Sequence, residues 1–112
     1  MTTIALNTFK TTTANVTTIE QTVYTAPAGV TTVILLAQVS NIDVANQVSI
    51  SANHTRGSNV TSIIRSTPIP VKDAASLLTG KLILQTGDAF TVFADANNRG
   101  QLLLSYLETA TS

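Results

Sequence analysis

The 112-residue sequence contains no cysteine and no tryptophan, one histidine and only 11% charged residues. Without cysteine there is no disulfide framework and no thiolate metal site, and the redox compartment leaves no trace. The charged fraction is less than half the roughly 25% usual in globular domains. Six Lys and Arg balance six Asp and Glu. The basic residues, Lys10, Arg56, Arg65, Lys72, Lys81 and Arg99, are scattered along the chain. No clustered patch exists to bind phosphate, so neither nucleic acid nor an anionic membrane is expected as a partner. Near-zero net charge also gives little self-repulsion and permits close association with copies or other proteins. The apolar run Val33 to Val39 has the length of a strand, well short of the ~20 residues of a membrane helix. The amino terminus has no basic region followed by an apolar run, and no signal peptide is expected.

The residues that carry chemistry are equally sparse. His54 stands beside Thr55 and Arg56 in a polar stretch that reads as an exposed loop, with no second His and no Cys to complete a metal set. The acids are Glu20, Asp43, Asp73, Asp88, Asp95 and Glu108. Asp88 follows Gly87 in a turn, where Asp commonly bonds its own backbone. Asp43 and Asp95 fall at strand ends, where convergence could offer oxygens to Ca²⁺, but no spacing resembles a calcium loop. A glycosidase-like carboxylate pair would lack an aromatic sugar platform. Gly80-Lys81 leads into a strand instead of a helix, which excludes a phosphate-binding loop. No cofactor, metal or catalytic residue is expected.

What is abundant is Thr and the aliphatic residues, which suit a pleated surface. Gln21 to Ala26 reads as a short strand ended by Pro27-Ala28-Gly29. Val30 to Ser40 is a long apolar strand whose broken alternation at Ile34-Leu35-Leu36 suggests cover on both faces. Gln47 to Asn53 alternates cleanly, and Val60 to Arg65 adds another strand. Pro68-Ile69-Pro70 belongs to an edge or crossover, since proline cannot donate to a ladder. Asp73 to Thr79 reads as a short loop with at most one helical turn. Leu82 to Leu84 and Phe90 to Ala94 read as two strands joined at Thr86-Gly87-Asp88. Asn97-Asn98-Arg99-Gly100 reads as a hairpin turn into Gln101 to Leu107. With no long 3.6-residue period in competition, the fold class is all-β: an antiparallel two-sheet β-sandwich, jelly-roll or immunoglobulin-like, or else a small barrel. Residues 1–20, with weak alternation and a Thr11-Thr12-Thr13 run, read as an extended N-terminal arm or edge strand, laid on the body or reaching to a neighbour. Residues 21–112 form the sandwich domain.

Several strands carry apolar residues on both faces: Leu82, Ile83 and Leu84; Phe90 and Phe93; Leu102, Leu103 and Leu104. A solvated sandwich should present one polar face per strand. The surplus points to covered outer surface, by the arm or by another subunit. The candidate interface residues are Ile4, Leu6, Phe9, Ile83, Phe93 and Leu103.

The series Val23-Tyr24-Thr25-Ala26-Pro27-Ala28-Gly29, a long apolar strand ending near Asn41, Pro68-Ile69-Pro70, Gly80-Lys81-Leu82-Ile83-Leu84 with Gly87-Asp88, and a closing Leu104-Ser105-Tyr106-Leu107-Glu108 resembles small β-sandwich virion proteins of tailed bacteriophages. The likeness spans roughly residues 21–108 and rests on pattern and turn placement. It implies a non-enzymatic structural protein of the virion, synthesised in the host cytoplasm. The first expectation is a capsid decoration (cement) protein that binds capsid or other virion proteins on the head surface. It also implies a homo-oligomer, with a trimer plausible. A neck, tail or fibre component is the alternative station. A carbohydrate-binding module is a second alternative, against which the lack of Trp argues.

Overall fold

The last strand shows most plainly why this sequence forms sheet. From Gly100 to Ala110 it buries Leu102, Leu104, Tyr106 and Glu108, while Gln101 and Leu103 stay exposed, the period of two that one core face imposes. The computed structural model describes residues 7–110, which form nine strands. They are β1 (Asn7–Val16), β2 (Gln21–Thr25), β3 (Val30–Asn41), β4 (Val48–Arg56), β5 (Asn59–Ile69), β6 (Ala74–Ser76), β7 (Leu82–Leu84), β8 (Ala89–Ala94) and β9 (Gly100–Ala110). One sheet has the order β1-β9-β3-β6, with β7 also on β3; the other has the order β2-β8-β4-β5. All pairings are antiparallel. Two sheets, each four strands wide, in this order, with β6 and β7 sharing the last position of the first, make a jelly-roll sandwich. That decides between the two sandwich topologies the sequence left open.

The core lies between the sheets. Ile34, Val39, Leu84, Leu102 and Leu104 from the first sheet meet Val48, Ile50, Ile69, Phe90 and Val92 from the second. Strand β8, flanked by β2 and β4, is buried along nearly its whole length. Gly100 is required by close approach: a Cβ there would lie 3.2 Å from Val39 Cγ1 and 3.3 Å from Ile50 Cδ1.

Several local expectations are corrected. Thr86-Gly87-Asp88 is a turn, as read, yet the strands it joins do not pair: β7 pairs with β3 in one sheet, and β8 lies in the other. The Asn97–Gly100 turn likewise carries the chain from β8 across to β9. The hairpin among the described residues is β4–β5, turning at Gly57-Ser58, so His54, Thr55 and Arg56 belong to a strand and not to a loop. The broken alternation in β3 is a bulge: the register slips between Ile34 and Leu36, leaving Leu35 38% exposed instead of covered. An extra residue in one strand turns two consecutive side chains outward. Ala74–Ser76 is a short strand on β3, with no helical turn. Pro68 sits on edge strand β5, as the proline pair requires. Of the two readings of residues 1–20, arm or edge strand, the described part Asn7–Val16 is an edge strand matched residue for residue to β9.

Candidate interaction surface

The register of the first sheet places Phe9 opposite Leu107, Leu107 opposite Val33, and Val33 opposite Ile83. Odd positions of β1 and β9 point away from the core, as their even neighbours Val16, Leu102 and Leu104 are buried. The four side chains therefore form one apolar row across the outer face of β1, β9, β3 and β7. Its ends are the most open, with Phe9 72% and Ile83 53% exposed. The bulge adds Leu35 and Leu36 beside the row, and Leu103 lies two pleats further along β9, 37% exposed. The rest of the face is Thr, Ser, Asn, Gln and Ala. Among the described residues, no outward position of these strands carries a formal charge. A shallow depression of about 570 Å³ opens where Thr13, Asn15, Ser40, Gln101 and Leu103 meet.

Of the residues expected to lie at an interface, the structure thus gathers Phe9, Ile83 and Leu103 on one face. Phe93 belongs elsewhere: it is half-buried on β8 in the other sheet, opposite Ser51. Ile4 and Leu6 lie outside the described residues. Sequence reasoning missed Val33, Leu35, Leu36 and Leu107. The broken period at Ile34-Leu35-Leu36 was the available signal, and it marks a bulge that exposes apolar side chains.

The charges are placed at the ends and seams of the sandwich. Asp88, 1% exposed, accepts from Arg56 Nε and Nη2 at 2.8 and 2.6 Å and from the Gln85 amide at 2.9 Å, with His54 Nε2 at 3.1 Å. The Arg56 guanidinium first, then the Gln85 amide and His54, hold its carboxyl well below the usual range against the opposing effect of burial. This reproduces the expected turn Asp and adds a function the sequence did not show, fastening the Gln85–Asp88 turn to β4. His54 is correspondingly a part-buried strand residue, not an exposed loop residue.

Glu108 is also buried, and Tyr24 Oη donates to it at 2.6 Å while Lys10 Nζ pairs with it at 2.9 Å. The Tyr24 hydroxyl and then Lys10 depress the Glu108 pKa; burial, followed by the Glu108 carboxylate, raises that of Tyr24. Tyr24 lies 2.7 Å from Thr32 Oγ1, and its ring stacks at a tilt on Tyr106 with centroids 4.3 Å apart. The cluster ties β2 of one sheet to β1, β3 and β9 of the other. Glu20 accepts from Thr91 and Asn53, which lower its pKa. At the opposite end from Asp88, Asp43 pairs with Arg99 at 3.1 Å and Asp95 accepts from the Ser49 amide. Asp43, Asp88 and Asp95 therefore do not converge on one site, and among the described residues no three His, Cys, Asp or Glu gather as a metal cluster. Each acid is engaged in holding a strand or turn.

No family model matches the chain, and no curated protein matches it. Among solved structures, the fold is similar to that of a protein of the Bacillus endospore appendages, which form a family of disulfide-linked pili. That likeness has a TM-score of 0.54 at 10% identity and covers 96% of this chain and 89% of the other. A tumour necrosis factor of S. frugiperda, Eiger, matches at a TM-score of 0.44 and 16% identity, over 81% of this chain and 64% of the other. The strand order defines the class, a jelly-roll sandwich domain, and the first likeness shows a shared fold over essentially the whole chain.

Proposed function

We propose that this chain is a non-enzymatic structural protein of a tailed-phage virion, a capsid decoration protein that seats the outer face of β1, β9, β3 and β7 on the assembled head lattice. The observation that carries the reading is the uncharged face with its apolar row Phe9–Leu107–Val33–Ile83. The phage assignment rests on the resemblance of residues 21–108. Three long strands about 4.8 Å apart, with roughly ten residues at about 3.4 Å each, and the three-residue β7 beside them present a footprint of about 540 Å². That is about two-thirds of the ~800 Å² per partner of a standard protein interface. A neutral polar surround costs little to desolvate compared with charges. Because the decorator binds the lattice in preference to dispersed subunits, occupancy stabilises the shell by mass action, about 2.7 kcal/mol per site at a free concentration of 100 times Kd.

The test is to add the protein to stripped heads, remove the unbound fraction by sedimentation, and heat decorated and stripped particles in parallel. Decorated heads are expected to disrupt at a higher temperature, and the Phe9→Asp/Ile83→Lys variant to remain in the supernatant while melting like the parent. Equal disruption temperatures, or a variant that still binds, would overturn the assignment. A second reading, a subunit of a fibrous appendage, is favoured by the whole-chain fold likeness to the endospore appendage protein. Since this sequence has no cysteine, such copies would have to join without disulfides. Negative-stain microscopy of the concentrated protein separates the two, filaments favouring the appendage.

A further inference from the structure

A sandwich has four sheet edges, each a row of unpaired N–H and C=O groups that proteins ordinarily blunt. Three of them here are blunted. Strand β2 has five residues and a register shift between Thr22 and Tyr24. On the far side of the first sheet stand β6 and β7, three residues each. Strand β5 carries Pro68, Arg65, two register shifts against β4 and a left-handed Ser66 at φ 52°. Strand β1 has none of these devices. It runs ten residues without a register shift, contains no proline, and has one charge, Lys10, whose ammonium is drawn onto Glu108. Toward its end, the Asn15 carbonyl already accepts from Gln21 Nε2 at 3.1 Å, which among the described residues leaves Asn7–Ala14 as the open stretch.

We infer that β1 pairs antiparallel with β1 of a second copy, across a two-fold axis through Thr12, joining the two first sheets into one continuous sheet. The occupant is a second copy because the open stretch is complementary to itself. With the axis at Thr12, Thr11 lies against the partner's Thr13 and Thr12 against the partner's Thr12, and Thr–Thr pairs are favourable cross-strand neighbours. The same register sets Lys10 against the partner's Ala14, so the two ammoniums do not meet. An axis at Lys10 would oppose them directly. Side chains of equal parity stay on the same face, so the uncharged outer faces of both copies become one. An isologous contact closes on itself, and the short far edges of β6 and β7 do not extend it. The inference stands on the edge alone and holds whatever the face binds.

The experiment is the mass of the full-length protein in solution at about 100 µM by light scattering. The expected mass is twice the 11.7 kDa of the chain. The Thr11→Lys/Thr13→Lys variant alters only exposed positions and places like charges against each other across the axis. It is expected to run as a monomer, at least 100-fold weaker in association, with an unchanged melting curve. Thr12→Cys is expected to form a disulfide dimer under mild oxidation. A wild-type monomer at that concentration, a trimer, or a dimer that survives the double lysine substitution would each overturn the inference. A wild-type protein that is monomeric in solution yet binds heads would overturn this inference and leave the decoration reading intact, which keeps the two failures distinct.

Discussion

Replacing Asp88 with Ala tests whether the turn before β8 is fastened as the geometry implies. The substitution deletes an acceptor for two Arg56 bonds, one His54 contact and the Gln85 amide. Hydrogen bonds to a charged group are worth about 1.5–3 kcal/mol each in net stability, and removing one partner leaves the other unsatisfied. The guanidinium is 55% exposed and regains water, so its two bonds count for less than the geometry suggests. The part-buried His54 and the Gln85 amide recover less. The expected loss is about 3 kcal/mol, or about 10–20 °C in Tm for a domain of this size. Asp88→Asn keeps a carbonyl for the Gln85 amide and should lose about half as much. Arg56→Ala should destabilise at least as much as Asp88→Ala at neutral pH, because it strands a buried carboxylate with only the Gln85 amide and His54 as partners. Urea and thermal unfolding followed by circular dichroism read all three. The consequence reaches the outer face, since Gln85 directly follows β7, which carries Ile83. Amide exchange at Leu82–Leu84 should rise in Asp88→Ala. A melt of Asp88→Ala within about 3 °C of wild type, or an Arg56→Ala variant as stable as wild type, would refute the reasoning.

Three further outcomes follow from the same contacts. Asp88, Glu108, Glu20 and Asp43 all have depressed folded pKa values. The stability they contribute is present above the unfolded carboxylate range of about 4 and is lost as pH falls through their folded values. Tm measured against pH should therefore be flat above about pH 5 and fall steadily below about pH 4; a maximum in acid would contradict the assigned pairs. Gly100→Val should cost about 1–3 kcal/mol by overpacking against Val39 and Ile50, read by urea unfolding. Tyr24→Phe, which leaves buried Glu108 with only Lys10 and removes the contact to Thr32, should cost about 1–2 kcal/mol and make β1 exchange its amides faster.

The strands themselves were largely legible, because turn residues and period-two alternation are local signals. Pairing was not. Thr86-Gly87-Asp88 and Asn97–Gly100 mark reversals correctly, yet the strands on either side of each lie in different sheets. A jelly roll pairs β1 with β9 and β3 with β9 across most of the chain, and nothing within ten residues of a turn encodes that choice. The bulge at Leu35 was visible only as a lapse in alternation, which burial on both faces would produce equally well. That Phe93 lies in the other sheet from Phe9, Ile83 and Leu103 was hidden for the same reason: alternation tells which side of its own strand a residue occupies, and sheet assignment tells which side of the molecule. The buried Asp88 and Glu108 clusters were invisible, since Arg56 and Lys10 reach them only through tertiary pairing.

The scarcity of charge acquires a physical meaning once its location is known. All six carboxylates accept a bond from another strand, turn or neighbouring amide, and none projects from the outer face of β1, β9, β3 and β7. A sheet face meant only for water gains solubility from interspersed Lys and Glu; this one forgoes it and exposes Phe9 and Ile83 instead. Binding through such a face depends on apolar burial and backbone shape, and screening has little to act on. The affinity for the proposed head lattice should therefore vary by less than about threefold between 0.05 and 0.5 M salt, whereas an interface built on ion pairs would weaken steeply across that range. Co-sedimentation at the two ionic strengths measures this directly, and a strong loss at high salt would move the binding surface to the charged ends of the sandwich.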